Sequence, residues 1–331
     1  MIFLSRNIIN LLMNLKINNM GNLSFQRDQF IKVIYQAAKK NKSIYFISID
    51  FGAPALDAFR FKLKKQFIHL GICEQNAIDF ASGMALEGDK VYVYAMAPFL
   101  SLRCLEQHKV ATCLMNLDVC SIVTGIGLSY ANSGPTHYST EDLSCLRSIP
   151  NSYIFTASDP ITASLIAKET LNFNRPKFVR LDRKSSANFL PLANLKNIKD
   201  GFRYLRKAKN KKEICIIGHG TIIERAVKAI NQMNNFQASN ISLIDLIRCK
   251  PFPLQLKKII NSYNKILTID EQSSESSLGS IIFENSKSSK IIKPLSLPDK
   301  FIFENLGRDK LLDKNGLSVK NIKLNLKSLL R

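Results

Sequence analysis

No two of the seven cysteines form a CxxC pair: Cys73, Cys104, Cys113, Cys120, Cys145, Cys215 and Cys249 stand apart, most of them inside apolar runs. That spacing speaks against a zinc site or a disulfide framework. It reads as a reducing cytoplasm, with cysteines used as small hydrophobes. No uninterrupted apolar run reaches the ~18 residues of a membrane helix, so no membrane span is expected. The chain also lacks GxGxxG, GxxxxGK[ST], HExxH and GxSxG. The familiar phosphate loops, a zinc-peptidase helix and a serine-nucleophile elbow are therefore absent.

Acidic residues are scarce: 26 Asp and Glu face 47 Lys and Arg, for a net charge of +21. The excess is scattered, apart from short clusters such as "RKAKNKK" (206–212), and no aromatics interleave with it. A basic surface suited to an acidic partner subunit or to phosphorylated substrates is expected, not a nucleic-acid site. Residues 1–19, "MIFLSRNIINLLMNLKINN", are apolar and Asn-rich without a small-residue cleavage site, unlike a signal peptide. We read 1–22 as a disordered or misassigned start, with Met20 as the candidate initiator.

What is present is ample for a large core: 331 residues, 46% of them hydrophobic, enough for about two domains. Short apolar runs at 43–50, 91–97, 119–126, 153–158 and 178–181 read as buried strands, as does the run opening at Phe67. Helical patterns at 74–86, 99–115, 140–149 and 160–173 alternate with them. Such alternation predicts a mainly parallel sheet covered on both faces. The pattern fades in a polar, basic stretch, taken as a linker over 185–212. A second series follows, with strands at 213–220, 240–247, 265–271 and 291–301, and helices at 221–233, 252–263, 277–287 and 309–331. The expected fold is α/β in two domains, 23–184 and 213–331, each a mainly parallel sheet flanked by helices.

Two stretches carry candidate chemistry. In "FIHLGICEQNAIDFASGMALEG" (67–88), Gly71 permits a sharp turn and Glu74 falls in the first turn of the following helix. An acid there complements the positive helix end, which is sufficient reason for it by itself. In "NSGPTHYSTEDLSCLRSIPN" (132–151), a Gly134-Pro135 turn precedes His137. A loop histidine is ordinarily just polar surface, but a rigid turn at a strand end is also where α/β sites lie.

Taken in order, "LGICEQNAIDFASGMALEG", "APFLSLRCLEQ" (97–107), "GPTHYSTEDLSCLRSIPN" and "RPKFVRLDR" (175–183) resemble the transketolase family. The likeness is to the C-terminal section of a transketolase made as a separate subunit. It covers about residues 25–325 and continues loosely in "ILTIDEQSSESSLGS" (267–280). The resemblance implies a pyrimidine-binding domain, a transketolase C-terminal-like domain and the cofactor thiamine diphosphate. It assigns Glu74 to the aminopyrimidine ring, where a carboxyl group promotes the tautomer that deprotonates the thiazolium carbon. Phe99 matches the aromatic that packs on that ring, and Leu102 and Leu105 stand where some relatives have aromatics. His137 matches a substrate-facing histidine. Arg183 and Arg27 match arginines that bind a phosphate or distal oxygen, although a surface salt bridge would account for either. Asp50 matches an acid near the cofactor and is equally an ordinary strand-end residue.

The departures matter. Gly125 replaces a histidine and Ser133 an acid of the sugar-phosphate enzymes, so the loop is nearer to transketolase-like subunits of surface-sugar biosynthesis. Gln66 stands where relatives often carry an arginine, which the sequence leaves unexplained. "EGDK" (87–90) is not the GDG motif that holds Mg²⁺ and the diphosphate, which implies a partner chain supplying both, in an α2β2 assembly. The implied activity is transfer of a two-carbon ketol unit from a ketose to an aldehyde. The alternatives are the β subunit of a 2-oxoacid dehydrogenase E1 component, a 1-deoxyxylulose-5-phosphate synthase, and a non-catalytic regulatory subunit.

Overall fold

The computed structural model describes residues 23–49, 52–189, 198–209 and 214–331. The start at 1–22, Asp50 and parts of the expected linker lie outside the described residues. A two-residue strand, β1 (Ser24–Phe25), leads into helix α1 (Gln26–Ala38). The strands β2 (Ile44–Ser48), β3 (Phe67–His69), β4 (Lys90–Met96), β5 (Val119–Thr124), β6 (Tyr153–Thr156) and β7 (Lys177–Leu181) then form one parallel sheet. Their order is β6-β7-β5-β4-β2-β3. Helices α2 (Asp57–Lys62), α3 (Glu74–Leu86), α4 (Ala97–Ser101), α5 (Leu105–Gln107), α6 (Asp142–Ser148) and α7 (Pro160–Thr170) connect them. Every residue of β5 and of β7 is buried, as an apolar run between two helical layers requires. β3 differs from its expectation: Phe67 and Ile68 are half-buried and His69 is exposed, because β3 is the edge strand.

After β8 (Ser185–Ser186), which pairs with β1, the second sheet runs in the order β14-β13-β10-β11-β9. Its strands are β9 (Phe202–Arg206), β10 (Ile214–Gly218), β11 (Ile241–Leu246), β13 (Lys265–Ser273) and β14 (Ile291–Leu297). β9 lies inside the stretch read as a linker. It is the antiparallel edge of this sheet, and its alternating Phe202, Tyr204 and Arg206 carry a period the basic surroundings obscure. β12 (Arg248–Lys250) returns to the first sheet, antiparallel beside β6. Helices α8 (Ile223–Asn231), α9 (Asn235–Ser239), α10 (Leu254–Ile260), α11 (Leu278–Asn285), α12 (Arg308–Leu312) and α13 (Val319–Leu330) complete the second unit. The architecture is the one expected: α/β, with two mainly parallel sheets flanked by helices.

The two sheets share side-chain clusters. Ile154 and Phe178 of the first pack with Ile217 and Ile244 of the second and with Leu256 of the helix beside it. A buried ionic junction adds direction to this contact. Arg180, 1% exposed, donates to both carboxylate oxygens of Asp142 at 2.7 and 2.9 Å, to Thr156 Oγ1 at 2.9 Å, and lies 3.2 Å from His219 Nδ1. Gln272 Nε2 donates to the same Asp142 at 3.1 Å. Arg203 bridges Asp159 and Asp245, each at 2.8 Å. Arg308 bridges Asp182 and Glu271, so that Asp182 stays below the usual carboxylate range although burial acts the other way. Each carboxylate so paired escapes the cost of an isolated buried charge.

Candidate active site

The site is assembled at the C-terminal ends of the parallel strands, where open α/β sheets hold ligands. After β3 the chain turns at Gly71, whose φ is +78°, and α3 begins at Glu74 with Cys73 as its N-cap residue. The cap contributes no side-chain bond, and the Glu74 side chain is only 7% exposed. An acid serving only the helix dipole would face water. This one is buried, with Arg103 Nη1 donating to Oε2 at 2.7 Å. The Cys104 thiol lies near the pair. Burial, reinforced by the Glu74 carboxylate, pushes it up to about 12, so it stays neutral.

The stretch 99–115, expected as one helix, is broken. α4 ends at Ser101, α5 starts at Leu105, and the chain continues as a π-helix from His108 to Leu114. Buried His108 occupies the break, its Nε2 2.7 Å from the carbonyl of Leu100, and Thr112 Oγ1 donates to the His108 carbonyl. π-Segments of this kind accommodate a distortion in a helix. Leu102 is half-buried in the turn between α4 and α5. Arg103 emerges from the same turn, its guanidinium 4.4 Å from the Phe99 ring centroid. Phe99 is half-buried and meets the His137 ring edge-on, centroids 5.3 Å apart.

His137 is positioned by its loop. Gly134, at φ +77°, closes the turn through the bond from His137 N–H to its carbonyl, and the Thr136 hydroxyl lies 2.9 Å from His137 Nδ1. Paired bonds between Gly127 and Ser139 clamp the base of the loop. Tyr130 stands behind His137, 6.2 Å between centroids, and the exposed Arg183 lies 4.8 Å over its ring. Burial pushes the Tyr130 phenol up to about 12 against the pull of Arg183 and Arg27, leaving a neutral hydroxyl. Arg27, 13% exposed, is held by Asp28 at 2.7 Å and lies beside Tyr94.

Glu74, Phe99, His137, Arg183 and Arg27 thus lie along one path, continued by two residues that the sequence did not single out, Arg103 and Tyr130. Asp50 is outside the described residues. The missing histidine at Gly125 has a steric reason. A Cβ there would lie 2.0 Å from Tyr130 Cε2, and the backbone has φ +90°. Tyr130 takes the space a side chain at 125 would need. Gln66 also has an explanation: its Nε2 donates to the carbonyls of Ala38, Asn41 and Ile44 at 2.9 to 3.0 Å, fastening the end of α1 to β2. It is a buried staple.

The arrangement brings a buried acid, an aromatic ring and a loop histidine together, joined through Arg103. The transketolase pyrimidine binding domain family matches residues 26–187, and the transketolase C-terminal domain family matches residues 203–322. The chain belongs to the transketolase family and carries these two domains in that order. It is 25% identical over 308 residues to an apulose-4-phosphate transketolase subunit from Phocaeicola vulgatus, covering 90% of this chain and 96% of that protein. It is 31% identical over 253 residues to the 1-deoxy-D-xylulose-5-phosphate synthase of Cupriavidus pinatubonensis, covering 74% of this chain but 38% of that one. A split-gene transketolase solved as an inactive β4 tetramer superposes with a TM-score of 0.81 at 21% identity, over 92% of this chain and 98% of that one. A Pichia stipitis transketolase gives 0.76 at 16%, over 94% of this chain and 46% of that one.

Proposed function

We infer that this chain is the pyrimidine-binding subunit of a two-chain, thiamine-diphosphate-dependent transketolase. The observation that carries the reading is the buried Glu74 carboxylate at the end of β3, linked to the Phe99 ring through Arg103. The pair fits an aminopyrimidine: a hydrogen-bond acceptor in a dry setting next to a ring face. When bound, thiamine diphosphate supplies the carbanion chemistry of ketol transfer. The chain's own residues have narrower tasks. Glu74 accepts from the ring and holds a proton in place, Phe99 fixes the ring plane, and Leu102 lines the aliphatic side of the pocket. Asp50 is assigned to the cofactor as well. His137, backed by Tyr130, bonds substrate oxygens, and Arg183 and Arg27 attract an anionic distal end. His137 and Glu74 are the catalytic residues of this reading.

In this reading the diphosphate and Mg²⁺ belong to a separate partner chain, in an α2β2 assembly. The similarity to nearly the whole of a relative that is itself one subunit of a transketolase supports a partner. So do the exposed apolar side chains of Ile72, two residues before Glu74, and Phe80 on α3, which a second chain would cover. Gly125 and Ser133 in place of a histidine and an acid, with Tyr130 filling the space at 125, support a sugar substrate other than those of the pentose-phosphate enzymes, with surface-sugar biosynthesis as the setting. A second reading draws on the 31% identity above: the same half-site in an enzyme forming 1-deoxy-D-xylulose 5-phosphate.

The test is co-expression with a GDG-containing partner and calorimetry of thiamine diphosphate with Mg²⁺, for wild type and Glu74→Gln. Binding to the pair alone, with ketose turnover lost in the variant, is expected. Equal binding and turnover in both proteins would refute the role of Glu74. Accumulation of 1-deoxy-D-xylulose 5-phosphate would select the second reading.

A further inference from the structure

We propose that Arg103 is an internal stand-in for the aminopyrimidine, occupying Glu74 and Phe99 until the cofactor displaces it. This rests on the reading of Glu74 and Phe99 as the pyrimidine site. A guanidinium is planar, offers N–H donors along its edge and presents a π-face. An aminopyrimidine is recognised by the same three properties. Arg103 uses two of them at once, with Nη1 2.7 Å from Glu74 Oε2 and its central carbon 4.4 Å from the Phe99 centroid. Those are the two surfaces the ring would take, so both ligands cannot be seated together.

The geometry also makes the arginine displaceable. Its side chain is 43% exposed, whereas that of Glu74 is 7% exposed. An ion pair with one partner in water is weak, while Glu74 left empty would be a buried carboxylate without a partner. The arrangement protects the acid before loading and opposes the ring during loading. If the closed state holds about nine-tenths of the molecules, apparent affinity falls about tenfold. Charge separates the competitors further. The guanidinium attraction weakens with salt, and a neutral ring at Glu74 depends on salt far less.

The test uses the full chain without a partner and the neutral probe 4-amino-5-hydroxymethyl-2-methylpyrimidine, with affinity read by ligand-observed NMR. Arg103→Met keeps an apolar stem on Phe99 without the donors. Arg103→Lys keeps the charge without the plane. The methionine variant is expected to bind the probe about tenfold more tightly than wild type, and the lysine variant between the two. Raising salt should tighten binding to wild type and leave Arg103→Met unchanged. Glu74→Gln should remove binding in both backgrounds. If Arg103→Met binds no better or worse while Glu74→Gln still abolishes binding, the stand-in is wrong and the pyrimidine site stands. If no form binds, or binding ignores Glu74, the pyrimidine reading fails and takes this proposal with it.

Discussion

Replacing Arg180 by methionine tests whether ion pairing neutralises the buried charges of the domain junction next to the His137 loop. Arg180 sits at the end of β7 and Asp142 opens α6, five residues after His137. Both are essentially fully buried and joined by two hydrogen bonds, and Arg180 also donates to Thr156 and faces His219. Methionine fills most of the volume but leaves the Asp142 carboxylate without its cation. Breaking such a pair on one side costs about 3–5 kcal/mol. With a urea m-value of about 3 kcal/mol/M, the midpoint should fall by about 1–1.7 M. Asp142→Leu should cost a similar amount. The double variant should cost far less than the sum, because the second substitution removes the charge that the first leaves stranded. Urea titrations followed by circular dichroism on the four proteins complete the cycle. A single substitution costing under about 1 kcal/mol, or additive costs in the double variant, would refute the argument that pairing neutralises the junction.

Other consequences follow from individual groups. Burial holds the His108 imidazole down at about 4, although its bond to the Leu100 carbonyl acts the other way. The unfolded chain has a histidine near pH 6.5, so between those values it binds more protons than the native state. Stability should therefore be complete above about pH 6.5 and fall as pH drops towards 4, by roughly 2.5 × 1.36, or about 3 kcal/mol. The difference between wild-type and His108→Gln stability curves should show that slope, and a flat difference would contradict it. Gly125→Ala should destabilise by about 1–4 kcal/mol, from left-handed strain plus overpacking against Tyr130. In a Tyr130→Ala background the same substitution should cost only the strain part; thermal unfolding of the four proteins of the cycle decides whether it does.

Much of this molecule was legible in the sequence, because strand and helix periods are local. The apolar runs placed β4, β5, β7, β10, β11 and β13 to within a few residues, and α3 was located at both ends. Four strands escaped for physical reasons: β9 hides its alternation among lysines and arginines, and β1, β8 and β12 are only two or three residues long. Glu74, Phe99 and His137 were singled out through motifs along the chain, and the structure places Phe99 against His137 and, through Arg103, near Glu74. Phe99 and Arg103 stand four apart, so their contact was within reach of helical spacing. The bond from Arg103 to Glu74, 29 positions away, was not.

Only the tertiary structure decided which charges meet. Arg180 sits in a run that reads as an apolar strand, and its partner Asp142 in a segment that reads as a helix start. Nothing in either period joins them. Gln66, unexplained along the sequence, became a staple once α1 and β2 converged on it. Gly125 became a steric necessity once Tyr130 folded back over it. Hydrophobic periodicity specifies which face of an element is buried, whereas the partner of a buried polar group depends on where the crossovers bring distant elements together.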